Sequence, residues 1–224
     1  MIATNEEEEQ RRISTGAIVV AMNFYNHKTS IIGDNTKSIT KSYSFIPINK
    51  EGEDLSMQLL NKWSIEARAF QIKYTPFTHN FWALTDPNNN VIDQIHGLAV
   101  HPITGVVRGI GNSGHLLQAI RDSTIVWSLQ PGQPAIICAT DHETETKQRW
   151  QSAVNSIPEI NALKLCYPDV WQHIYKKNSN TVFNTIGQIM GFPLPARLLP
   201  TRAPGINLVI SQDIINQHLY KQSP

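Results

Sequence analysis

The sequence is poor in several features that would mark a functional class. It has two cysteines in 224 residues, Cys138 and Cys166, too few for a disulfide framework in a chain this long. Both stand in apolar stretches, so burial is the expected fate of each; Cys166, just before Tyr167-Pro168, has a second reading as a displaced nucleophile. No apolar run approaches the ~18 residues of a membrane-spanning helix. Charged residues make up 17%, the net charge is +1, and no basic cluster offers a nucleic-acid face. The acidic start, Glu6 to Glu9 followed by Arg11 and Arg12, lacks the cationic and apolar regions of a secretory signal. The expected site of synthesis and folding is therefore the cytoplasm, with export by a specialised secretion system left open. The histidines form no recognised metal spacing, and no metal or organic cofactor is implied. Gly109-Ile110-Gly111-Asn112-Ser113-Gly114 is an incomplete phosphate or dinucleotide fingerprint, expected to be a mobile loop at a cleft rim. Asp141-His142-Glu143 is better explained as a helix start than as a metal site.

What is present is an ordinary globular balance, with 41% hydrophobic residues. Residues 1–12 read as a flexible tail and 13–224 as a single α+β domain, a central antiparallel sheet flanked by helices. Strands are expected at 16–24, 42–48, 79–85, 91–98, 106–110, 124–129, 135–139 (short and buried) and 206–210. Leu55, Leu59, Trp63, Ala67 and Phe70 recur at helical spacing, predicting a helix over 54–70. Thr140 and Glu143 have capping-box spacing before a helix bearing Trp150, Ala153, Val154 and Ile157, which Pro158 should end. The last clear helix is 180–190, with Val182, Ile186, Ile189 and Met190 as its apolar stripe and Gly191 and Pro193 as stop signals. Residues 193–204 form a proline-rich excursion, a candidate docking arm for a protein partner.

Two places hold the elements of chemistry. Asp86-Pro87-Asn88-Asn89-Asn90 joins two strands carrying His79 and His96. In an antiparallel pair, opposed residues have numbers of constant sum. A sum of 175 puts the histidines opposite each other and 177 puts them on neighbouring rungs, while an even sum puts them on opposite faces. Asn178-Ser179-Asn180-Thr181 opens the last helix. A hydroxyl there lies near free N–H groups and the positive end of the helix dipole, although spacing alone reads Ser179 as a cap and nothing more. A serine needs a base, and a histidine from the sheet would serve. Trp82 alternates to the face opposite His79, which makes it core rather than a substrate platform.

In its order, a histidine-led strand (Thr78-His79-Asn80-Phe81-Trp82), a second strand with His96-Gly97, and later Asn178-Ser179-Asn180-Thr181-Val182 at a helix start, the chain resembles the circularly permuted papain-like superfamily. This is the NlpC/P60-type branch with the lecithin:retinol acyltransferase-like and PPPDE-like groups. The resemblance covers residues 75–192 and leaves the first 70 unplaced. It implies a permuted papain-like fold in which His79 is the general base and His96 orients it. Ser179 stands at the nucleophile position, where the family has cysteine, and Asn178 and Asn180 flank the substrate and oxyanion. The implied function is hydrolysis or transfer of an acyl group at an amide or ester bond through a Ser179 acyl-enzyme. The substrate would be a peptide, peptidoglycan or a lipid, as for a bacterial effector or toxin amidase. The alternative is an inactive papain-like module that binds a peptide, lipid or protein partner. The geometry that separates them is whether Ser179 Oγ reaches a His79 nitrogen.

Overall fold

The computed structural model describes residues 62–73, 75–124, 128–192, 199 and 201–221. The chain divides into two units, Met1–Asp54 and Leu55–Pro224, and every described residue belongs to the second. The tail, the strands expected at 16–24 and 42–48, residues 54–61 of the first helix, and 193–198 and 200 of the proline-rich excursion lie outside the described residues.

Among the described residues six strands form one antiparallel sheet: β1 (Trp63–Gln71), β2 (Thr78–Thr85), β3 (Val91–Val100), β4 (Val107–Arg108), β5 (Leu116–Arg121) and β6 (Ala135–Asp141). The order is β4-β3-β2-β1-β6, with β5 also pairing with β3. Among the described residues three α-helices complete the α+β fold: α1 (Glu143–Ala162), α2 (Ser179–Ile189) and α3 (Gln212–His218).

The alternation of side chains along a strand explains the core. Ile65, Ala67 and Ala69 of β1, Trp82 and Leu84 of β2, Ile95 and Ala99 of β3, and Leu117 and Ala119 of β5 point to one face. They join Trp150, Ala153 and Ile160 of α1 and Val182, Phe183, Ile186 and Ile189 of α2 in one apolar cluster. Trp82 stacks on Phe183 with ring centroids 4.6 Å apart, and its Nε1–H donates to the Phe183 carbonyl at 2.8 Å. It is core, as its parity requires. The helix α2 carries the expected stripe, but it is buried almost all round. Gly191 stands just past its end with φ 80°, the left-handed turn that glycine adopts without strain.

Several expectations are corrected. Residues 63–70 are strand, not helix. Ile65, Ala67 and Ala69 alternate with Glu66 and Arg68, and the strand pairs with β2 on one side and β6 on the other. The period-two signal was overlaid by an accidental helical one. The expected strand at 106–110 shrinks to two residues. No strand occupies the described part of 124–129; the strand lies just before, at β5. The strand β6 is an edge strand with no fully buried residue. Thr140 remains in β6 opposite Ser64, so His142 is the N-cap of α1 and the capping box does not form. Pro158 lies inside α1, which continues to Ala162. Its last turn is held by buried Ile160 and by Asn161, which bonds both the N–H and the carbonyl of Ala119. Residues 206–210 are irregular, a turn through 206–207 with no strand after it, and the helix α3 follows, capped by Ser211. Cys166 is exposed, not buried, and Cys138 is half-buried with its thiol pushed up to about 11 by burial, which leaves it unreactive.

The helix α2 seats its first turn directly on Gly97. A Cβ there would stand 2.6 Å from the Ser179 carbonyl oxygen and 2.7 Å from Val182 Cβ. Gly97→Ala is therefore expected to push α2 off the sheet and to cost about 1–3 kcal/mol. Urea unfolding checks this, and an unchanged midpoint would contradict the close seating.

Candidate functional site

The start of α2 is built from polar side chains that are all buried. Asn178 is the N-cap: its side chain accepts from Asn180 N–H at 2.9 Å, and its own N–H donates to Thr181 Oγ1 at 3.1 Å. So Asn178, rather than Ser179, caps the helix. The remaining polar atoms are taken up by a chain segment running antiparallel to nothing regular, residues 202–210. Asn178 Nδ2 donates to the carbonyls of His173 (2.8 Å) and Pro204 (3.0 Å). Asn180 Nδ2 donates to those of Pro204 (3.1 Å) and Thr78 (3.2 Å), while its Oδ1 accepts from Asn80 N–H at 3.0 Å. Thr181 Oγ1 donates to Gly205 O at 2.9 Å, Asn184 Nδ2 to Leu208 O at 3.0 Å, and Thr185 Oγ1 accepts from Ile210 N–H at 2.8 Å. Gly205 has φ 77°, and a Cβ on it would lie 2.5 Å from Asn178 Nδ2. The side-chain amides of Asn178 and Asn180 are thus bound to protein carbonyls and are not directed at a substrate oxygen.

Ser179 is buried in the first turn, and its hydroxyl oxygen lies 3.4 Å from the hydroxyl of Tyr167. Burial raises the Tyr167 pKa above its ordinary value, so the phenol stays protonated and is no base. Tyr167 covers Gly111, where a Cβ would stand 2.3 Å from its ring. This holds the glycine-rich stretch in place, with Ser113 N–H donating to Asp169 Oδ1 at 2.9 Å. The His173 imidazole lies edge-on to Tyr167 at 5.4 Å between centroids. Its Nε2 is buried without a hydrogen-bond partner, so it does not bond Ser179.

The two histidines of the hairpin do come together. The β2–β3 ladder pairs Trp82 with Ile95, a sum of 177, so His79 and His96 share a face on neighbouring rungs. His79 Nε2 and His96 Nδ1 are 3.0 Å apart. Gln94 Oε1 accepts from Ser128 Oγ–H at 2.7 Å and stands 3.2 Å from His96 Nε2. A carbonyl oxygen only accepts, so His96 carries its proton on Nε2, and its Nδ1 accepts from His79 Nε2–H. Phe81 stacks on His96 at 4.6 Å, and Phe70 lies 5.0 Å from His79. Burial lowers the pKa of His79 to about 4; burial, with the neighbouring His79, lowers that of His96 to about 2. Both rings are neutral at pH 7. Sequence reasoning missed Gln94, Ser128, Tyr167 and His173. Gln94 was in principle accessible, two residues from His96 and hence on its face, whereas Ser128 and Tyr167 arrive from loops.

The decisive relation is between the two clusters. His96 and Gly97 are consecutive in an unbroken stretch of β3 and point to opposite faces. Gly97 faces Ser179; His96 and His79 face away from it. Among the described residues no hydrogen bond joins Ser179 to His79 or His96: the Ser179 hydroxyl lies beside that of Tyr167, and His79 Nε2 lies beside His96 Nδ1. The reason is parity: His79, Phe81 and His96 form one face, while Asn80, Trp82 and Gly97 form the other, on which α2 packs. Among the described residues no group of three or more His, Cys, Asp or Glu side chains is placed to hold a metal ion. No family model, curated protein or solved structure matches the chain.

The buried histidine pair makes stability depend on pH. The unfolded chain takes up protons below about 6.5, and the folded chain resists until about pH 4 for His79. Their contribution is therefore complete above about pH 6.5 and is lost as pH falls towards 4 and below. Unfolding free energies from urea titrations between pH 7.5 and 4.5 should drop by about a few kcal/mol in total, and a flat profile would contradict the burial of neutral rings.

Proposed function

We propose that the chain is a non-catalytic binding module on a permuted papain-like scaffold, taking a peptide, lipid or protein partner. The observation that carries this reading is that His79 is bonded to His96, whose side chain leaves β3 away from Gly97, while Ser179 packs on Gly97 and lies beside Tyr167. An acyl-enzyme mechanism needs the base within about 2.6–3.2 Å of the hydroxyl, directly or through one water. A serine hydroxyl without that base has far too high a pKa to attack an amide. The group beside Ser179 is instead a protonated tyrosine. The asparagines that would flank an oxyanion serve as clamps for the 202–210 segment. Support for the scaffold comes from the order of its parts: a histidine strand, its hairpin partner, and a buried helix opened by Asn178-Ser179-Asn180-Thr181.

A fluorophosphonate probe tests this. The folded wild type is expected to label no more than Ser179→Ala. Stoichiometric labelling that disappears in both Ser179→Ala and His79→Ala, with both variants folded by circular dichroism, would restore the amidase or acyltransferase reading.

A further inference from the structure

The largest exposed apolar side chains gather on two neighbouring pieces of chain. The first is the turn after Tyr167. Trp171, Ile174 and Tyr175 are 87%, 73% and 65% exposed. They stand on a short 3-10 turn (Val170–Gln172) and the turn residues that follow it. The turn is well held: Gln172 N–H donates to Asp169 O and Lys176 N–H to Gln172 O, both at 2.8 Å, while Asn178 ties down the His173 carbonyl. These side chains are thus displayed on a fixed backbone. The second piece is the β3–β4 hairpin and the residues after it, where Ile103 is 88% exposed and Val106, Val107 and Ile110 are exposed as well. The loop at 111–113 joins the two pieces through Tyr167 over Gly111 and through the Ser113–Asp169 bond.

Charge around these pieces is mostly positive, with Asp169 as the exception. No aspartate or glutamate occurs between residues 94 and 121 or between 170 and 212. Arg108, Lys176 and Lys177 are exposed there. Lys177 Nζ is fixed by the Ile210 carbonyl at 2.7 Å. The single acid nearby, Asp169, is bound to Ser113 N–H, and the Ser113 hydrogen bonds keep its carboxyl below the usual range.

Resting on the binding-module reading, we infer that this surface docks on an anionic lipid bilayer. An indole and a phenol beside branched aliphatic chains, flanked by lysine and arginine, match the interfacial layer of a membrane, where aromatic rings settle at headgroup level and cations meet anionic headgroups. An ordinary solvated turn leaves a tryptophan this exposed only at the risk of aggregation. No described helix is long and apolar enough to cross a membrane, so the contact is peripheral.

Vesicle co-sedimentation of the full chain tests the inference. Vesicles of phosphatidylcholine with phosphatidylglycerol should bind it at least roughly tenfold more tightly than phosphatidylcholine alone at low salt, with the difference shrinking at 1 M salt. Trp171→Ser with Ile174→Ser should abolish binding, and Arg108→Glu with Lys176→Glu should remove the preference for anionic lipid. All four side chains are exposed, so the variants should fold, as circular dichroism would verify. The inference is overturned if wild type pellets no more with vesicles than alone or if Trp171→Ser/Ile174→Ser binds like wild type. It is also overturned if wild type self-associates in sedimentation and that variant does not, since a second copy then covers the surface. Labelling by fluorophosphonate in the same preparation would sink the binding-module reading while leaving vesicle binding to stand or fall separately.

Discussion

The seating of α2 on Gly97 is the constraint from which the rest of the arrangement follows. A helix can approach a sheet this closely only where one strand position carries no side chain. Once that position is residue 97, strand geometry assigns every neighbour. Ile95 and Ala99 must join the helix side, and Gln94, His96 and Leu98 must turn the other way. The first turn of α2 is then fixed over Thr78–Asn80, with Asn180 bonding the backbone on both sides of His79. His79 is close to the helix start in sequence pairing and yet its ring turns to His96. The two clusters are near neighbours in which each group has its own partner, Tyr167 for Ser179 and His96 for His79.

The buried polar groups on the two faces solve their hydrogen-bonding needs differently. On the helix side, Asp93 accepts from Trp150 Nε1 at 3.0 Å and pairs with Arg121. The carboxylate thereby reaches into the apolar cluster without being left unpaired. On the other side, neutral rings and amides form the chain Ser128–Gln94–His96–His79. Such a chain rigidifies its surroundings when each member is satisfied, and it keeps the imidazoles uncharged. The low basicity of the pair follows from that burial and is not evidence of a catalytic task; structural networks shift pKa values as well.

Much of this was legible in the residues. The hairpin at Asp86–Asn90, the core role of Trp82 and the apolar stripe of α2 follow from periodicity and turn chemistry, whereas the shared face of His79 and His96 was one of several registers the turn allowed. Parity could also have exposed the flaw in the triad. The sequence placed His96 beside Gly97, and a glycine in a strand often marks close backbone approach. What it could not say was which face α2 would choose, because that choice is made by Trp82, Val182 and Phe183 packing across a hundred residues of chain. The helix expected at 54–70 failed where β1 stands because apolar residues at 63, 67 and 70 satisfy a helical period, while 65, 67 and 69 satisfy that of a strand. Two sheet neighbours decided between them. The helix α3 was missed because it is short and its cap, Ser211, follows a stretch that imitates a strand in composition.

The clamp on residues 202–210 reads almost nothing but main chain. Asn178, Asn180, Thr181, Asn184 and Thr185 address carbonyls and one N–H, and Thr78 N–H does the same to Arg202 O. Recognition of this kind ignores side-chain identity except where Gly205 must give way to Asn178 and where Ile206, Val209 and Ile210 reach the core. The asparagines of the helix start therefore behave as a portable sheet edge. They let an irregular strand be written in nearly any alphabet, and drift in that segment would leave the architecture unchanged as long as the helix keeps its amides.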